Sequence, residues 1–233
     1  SYGLLLVMVS AGLTLIFSIL GVLNFAHASF YMLGGYLGYS IAAHAGFGFA
    51  LLCAPVVVGG AGAALERKLL RRARVNGPLH ELLLTFGVAY LLAEFVKLAW
   101  GLGSVSIALP PILDGPLMSW GDATFSRYRA FMMMVSVSTL GALYALLRTS
   151  RTGLVLRAAL THARAVEALG HDVARIGTWV FAVGTGLAAL AGVIGAPLAV
   201  VEPGMAEAVG SIVYVVVIVG GLGSIGGAFA ASL

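Results

Sequence analysis

Charge is what this chain has least of. Only 9% of its 233 residues are Asp, Glu, Lys or Arg, against roughly 25% in a soluble domain. That is too few to clothe a water-soluble shell, which excludes an ordinary globular protein. The single cysteine, Cys53, excludes a disulfide framework and a thiolate metal site; placed in an apolar run, it reads as a packing residue. No GxxxxGK[ST], HExxH or GxSxG motif occurs, so P-loop ATP binding, zinc-protease and serine-hydrolase chemistry are not expected. No basic surface interleaved with aromatics is present, so nucleic acid is not an expected partner. The apolar runs also lack the mid-span carboxylates on which proton- or sodium-coupled transporters rely. No basic region precedes the first apolar run, so no cleavable signal peptide is expected. Both ends fall inside apolar runs, which predicts a few further residues beyond each.

What is there is hydrocarbon. The chain is 61% hydrophobic, with mean hydropathy +1.05. Gly3–Ala26, Ala28–Leu65, Ala130–Leu147, Ile176–Val201 and Ala208–Leu233 hold no Asp, Glu, Lys or Arg. A helical span needs roughly 20 apolar residues, and these runs do not alternate as barrel strands must. The expected fold is an all-α, polytopic helical membrane protein with about seven to eight transmembrane segments, some broken or re-entrant. One membrane domain, residues 1–233, is expected. Predicted breaks fall at Asn24–His27, at Gly46-Phe47-Gly48, at Asn76-Gly77-Pro78 and in the glycine stretch Gly220–Gly227. Leu102–Arg127, rich in proline and glycine, reads as an external loop or re-entrant piece that could meet a partner.

Of 13 Lys and Arg, five lie in Arg67–Arg74 and five in Arg148–Arg175. The positive-inside rule places both groups in the cytoplasm, and the two spans between them agree in parity. The first group reads as a topology signal in contact with lipid headgroups. The second, Leu147–Arg175, is the longest water-facing stretch. Val155, Ala159, Ala163 and Val166 recur at helical spacing, Gly170 suits a helix stop and Asp172 an N-cap. A capped, basic amphipathic helix outside the bilayer reads either as an ordinary loop or as a handle through which another protein works the membrane part. Within the spans, Glu94 and Lys97 at i, i+3 can pair. His27 reads either as an interhelical hydrogen bond or as part of a pore or gate. Gly34 and Gly38 form a small-residue packing face. Gly221, Gly223 and Gly226 match GxGxxG, but no strand precedes them and no acidic residue follows at the required distance; a broken helix or close packing explains them better.

Two stretches carry a family resemblance. Gly12-Leu13-Thr14-Leu15-Ile16-Phe17, Gly21-Val22-Leu23-Asn24-Phe25-Ala26-His27 and Tyr31-Met32-Leu33-Gly34 resemble the permease subunits of branched-chain amino-acid ABC importers, and so does Val219–Ala228. The likeness runs from about Gly3 to the end. It departs at Ala28, where the family usually has glycine. The resemblance implies a second permease subunit, usually a paralogue, two ATPase subunits that bind the ATP and Mg, and a periplasmic substrate-binding protein, in the bacterial inner membrane. It implies no cofactor and no catalytic residue in this chain. It marks Asn24, His27, Tyr31, Gly221, Gly223 and Ser224 as the expected substrate path. It marks a cytoplasmic coupling loop at about 149–174, with Arg157, Arg164, Glu167, Ala168 and Gly170 as the expected ATPase contacts. A self-sufficient facilitator or secondary transporter for a small polar solute is the alternative.

Overall fold

The computed structural model describes residues 2–21, 23–120 and 123–232. Val22 and Asp122 lie outside the described residues, as do the side chains of Trp120, Ala163 and Arg164. The chain is helical almost throughout. Helices α1 (Tyr2–Leu20), α2 (His27–Ala45) and α3 (Phe47–Leu65) come first. A π-helical turn, Glu66–Leu70, and a short α4 (Arg71–Arg74) extend α3. Then follow α5 (Pro78–Trp100), a hairpin of β1 (Pro116–Trp120) and β2 (Ala123–Ser126), α6 (Arg127–Thr149), α7 (Arg151–Ala168), α8 (Val173–Gly195), α9 (Met205–Val219) and α10 (Ile225–Ser232).

Among the described residues, α1, the α3–α4 unit, α5, α6 and α8 are long and apolar enough to cross a membrane. Helix α2 has the length, but its three tyrosines, two histidines and two serines lower its hydropathy. It compensates by burial: His27 through Tyr36 is enclosed by protein rather than lipid. Helix α9 is apolar but shorter, and a break at Gly220–Ser224 separates it from α10. The chain is a multi-pass helical membrane protein.

The centre is α1 and α8, each about two-thirds buried, whereas α3, α5 and α6 are mostly exposed. The exposed faces are apolar. On α5, Leu79, Leu83, Phe86, Tyr90 and Leu98 all point outward. In water such a patch is a liability; in lipid it is solvated. Glycines set the spacing at the centre. A Cβ on Gly34 of α2 would land on the backbone of Ala189, and one on Gly192 of α8 on the carbonyl of Tyr31. A Cβ on Gly38 would meet Val193 at 2.9 Å. Ala28 sits on a glycine as well, its methyl facing Gly210 of α9.

The expected turns form where glycine permits positive φ: Gly46 (+87°) between α2 and α3, Gly77 (+103°) before α5 and Gly170 (+85°) after α7. The segment after α5 is not helical. It carries the β1–β2 hairpin, and Val105 exchanges backbone hydrogen bonds of 2.9 and 3.0 Å with Val201. Two stretches without regular helix thereby satisfy each other's polar groups at one end of the bundle. The two arginine-rich stretches meet at the other end, where Arg71 donates to the carbonyl of Ala174 at 2.7 Å.

Candidate functional site

Helix α7 is built as its sequence asks. Ser150 alone separates it from α6, and the Ser150 hydroxyl accepts from the Gly153 amide at 2.9 Å. Gly153 makes the reversal possible, because a Cβ there would overlap the carbonyls of Leu146 and Leu147. At the other end the Gly170 amide donates to Glu167 and the His171 amide to Val166, the paired bonds of a Schellman stop. Asp172 then caps α8 by accepting from the Arg175 amide at 2.9 Å. A kink at His162 interrupts α7.

The buried face of α7 is Leu156, Ala159 and Val166, with Val155 half-buried beside it. Leu156 packs with Leu15 of α1, Leu143 of α6, and Val180 and Leu187 of α8. Arg151, Arg157, Glu167, Ala168 and Gly170 remain exposed. The helix is therefore seated on the membrane bundle by one side and open to water on the other.

One residue from each expected group, Arg157 and Gly223, lines a shared cavity here. A cavity of about 860 Å³ is lined by Leu15, Ser18, Leu143, Leu156, Arg157 and Gly223, among others. Its wall thus joins the α7 arginine to the break between α9 and α10. Gly221 and Gly223 take φ of +90° and +87°. The Gly223 carbonyl accepts from Ser18 Oγ at 3.2 Å, and Ser224 Oγ caps α10 by accepting from the Gly227 amide at 3.0 Å. Ser224 is exposed.

Asn24, His27 and Tyr31 do not reach that cavity. They are enclosed within the chain, each no more than 3% exposed. His27 Nε2 lies 2.9 Å from the Val9 carbonyl, an interhelical bond to α1, while Nδ1 has no partner among the described residues. Asn24 folds its Oδ1 onto the Ala26 amide at 3.1 Å, and its carbonyl accepts from Tyr214 of α9 at 3.1 Å. The Tyr31 ring lies against Gly195 of α8. In the single chain these three tie α2 to α1, α8 and α9.

A cluster that sequence reading missed lies at the same end. Glu66, fully buried, accepts from Thr178 of α8 at 2.6 Å and faces Arg71 at 3.4 Å and Arg74 at 3.6 Å. Arg74 forks onto Glu81 of α5 with bonds of 3.1 and 3.0 Å. Residues five apart diverge on an α-helix; the π turn, with its i→i+5 bonding, brings Arg71 round to Glu66. The network binds α3, α5 and α8 together. The signal in the sequence was the pair of carboxylates, Glu66 and Glu81, bracketing the basic run. By contrast Glu94 and Lys97 form the expected surface pair at 2.7 Å, both partly exposed.

Comparison with known proteins matches all of residues 1–233 to the family described as branched-chain amino acid transport system / permease component. The high-affinity branched-chain amino acid transport system permease protein LivH of Escherichia coli (strain K12) is 29% identical over 245 residues, covering 97% of this chain and 78% of LivH. LivH of Salmonella typhimurium is 28% identical with the same coverage. BraD of Pseudomonas aeruginosa is 28% identical over 241 residues, again covering 97% of this chain and 78% of BraD. No solved structure matches significantly. With its bundle of membrane-length helices and its whole-length match, the chain belongs to the branched-chain amino acid ABC transporter permease family.

Proposed function

We propose that this chain is one transmembrane permease subunit of an ATP-driven importer for branched-chain or related amino acids. A second permease subunit, usually a paralogue in this family, completes the translocation path. Two ATPase subunits bind the ATP and Mg and grip α7 at Arg157, Arg164, Glu167, Ala168 and Gly170. A periplasmic binding protein delivers substrate at the outer connections, near residues 114–122 and 202–207. The basic end lies in the cytoplasm of a bacterial inner membrane.

The observation that carries this reading is the two-sided burial of α7. Leu156 is held by three membrane helices while Arg157 and Glu167 stay exposed. A partner that pulls on the exposed side moves the buried side, and with it the cavity wall at Gly223. The path runs past Gly221, Gly223 and Ser224; Asn24, His27 and Tyr31 stand one layer behind and fix the helices that flank it. Broken-helix ends offer backbone dipoles to a zwitterion, which fits an amino acid without any mid-span charge.

The test is reconstitution. Liposomes holding this chain, the second permease and the ATPases should take up leucine only with ATP and binding protein. Arg157→Glu with Glu167→Lys should abolish ATPase co-purification and uptake together. Uptake by this chain alone, without ATPase, would overturn the proposal in favour of a facilitator.

A further inference from the structure

A second cavity, about 900 Å³, lies on the outer flank of the bundle between α3 and α8. It shares no lining residue with the cavity at α7. Its walls are zoned along α3 and α8. Pro55, Gly59, Gly60, Ala182 and Gly186 line the deeper part, and Arg67, Arg71, Arg175 and Asp172 line the basic end. We propose that this groove binds one anionic phospholipid of the leaflet at the basic end, its acyl chain along α3 and α8 and its headgroup phosphate at Arg67.

Length, shape and charge support that occupant. From Pro55 to Arg67 the helix rises about 18 Å at 1.5 Å per residue, close to the roughly 15 Å hydrocarbon depth of one leaflet. The hollow exists because its residues are small, and a Cβ on Gly60 would meet nothing within 4 Å. The Trp179 ring is largely exposed beside the groove, one turn above Arg175, where an interfacial aromatic sits well.

The charges at the mouth do not cancel. Asp172 is held by Arg175 at 2.8 Å, and Arg71 faces Glu66. Arg67 is exposed and has no ion-pair partner among the described residues, and the Nε of Arg71 is buried without an acceptor. One guanidinium is left over at the rim, with Lys68 and Arg72 exposed on the adjoining turns. A lipid phosphate meets the uncompensated charge; a neutral helix from another subunit would bury it unpaired, at a desolvation cost.

Native mass spectrometry of the purified, delipidated transport complex tests this with added phosphatidylglycerol and phosphatidylcholine. Phosphatidylglycerol should be retained preferentially, one molecule per copy of this chain. Arg67→Gln should weaken that retention about fivefold, the weight of one cation near an anionic surface. Gly60→Leu should fill the groove and displace the lipid while the complex stays assembled. Equal retention of the two lipids, or retention unchanged in both variants, overturns the proposal. So does a cross-link from Gly60→Cys to a helix of another subunit, which would make the groove a subunit interface.

Discussion

At the scale of single residues, the same charge types have unequal weight. Glu66 is fully buried and answers to Arg71, Arg74 and Thr178, whereas Glu94 pairs with Lys97 at a half-exposed site. Glu66→Gln leaves two guanidinium groups facing a neutral amide and should cost about 1–3 kcal/mol. Glu94→Gln should cost about 1 kcal/mol or less. Thermal midpoints of the purified protein in detergent should therefore fall clearly for the first and barely for the second; equal shifts would remove the network's structural role. Glycine is the other sensitive residue. Gly192→Ala drives a methyl into the Tyr31 carbonyl and should cost about 1–3 kcal/mol by overpacking, seen as a lower yield of folded protein. Ala28 shows the opposite case: its methyl is accommodated because Gly210 faces it, 3.1 Å from where that glycine's own Cβ would stand.

At the scale of elements, α7 is the part whose attachment can be measured. Its seat is narrow, with Leu156 the side chain that enters the cluster of Leu15, Leu143, Val180 and Leu187. Leu156→Ala removes most of that contact and should cost about 2 kcal/mol, the low end for a buried leucine. Hydrogen exchange along 154–166 should then speed up by an order of magnitude while α1 and α8 stay protected, since a seat at the edge opens locally. Unchanged exchange would mean that α7 is held by other contacts. Its stop and the cap of the next helix were legible because each is a local rule: Gly170 takes positive φ, and Asp172 accepts from a nearby amide to cap α8; the Ser150 cap at its start was not read. Of its expected face Ala159 and Val166 are buried and Val155 is half-buried, whereas Leu156, the deepest contact near its start, was not read; the short link at Ser150 and the close approach at Gly153 set the roll of the helix there.

At the scale of the whole molecule, orientation follows from charge and is read by labelling. Both basic stretches stand at one end, joined by Arg71 and Ala174, and the hairpin stands at the other. The positive-inside rule puts the basic end in the cytoplasm. In a Cys53→Ala background, Met118→Cys should react with an impermeant maleimide on intact cells, and Leu169→Cys only after the membrane is opened; both native side chains are well exposed. The reverse pattern would invert the topology. Sequence by itself determined the membrane, the helices, most of their ends, the paired placement of the arginines and the family motifs. These follow from composition, periodicity and capping, which act within about one or two helical turns. Only the tertiary structure decided that α2 is shielded by protein, that His27 is enclosed against Val9, and that Arg157 and Gly223 share a cavity. It also decided that Glu66 and Glu81 hold three helices together. Those facts depend on which helices become neighbours, and neighbours separated by a hundred residues are chosen by glycine-sized gaps and buried ion pairs, which no local pattern records.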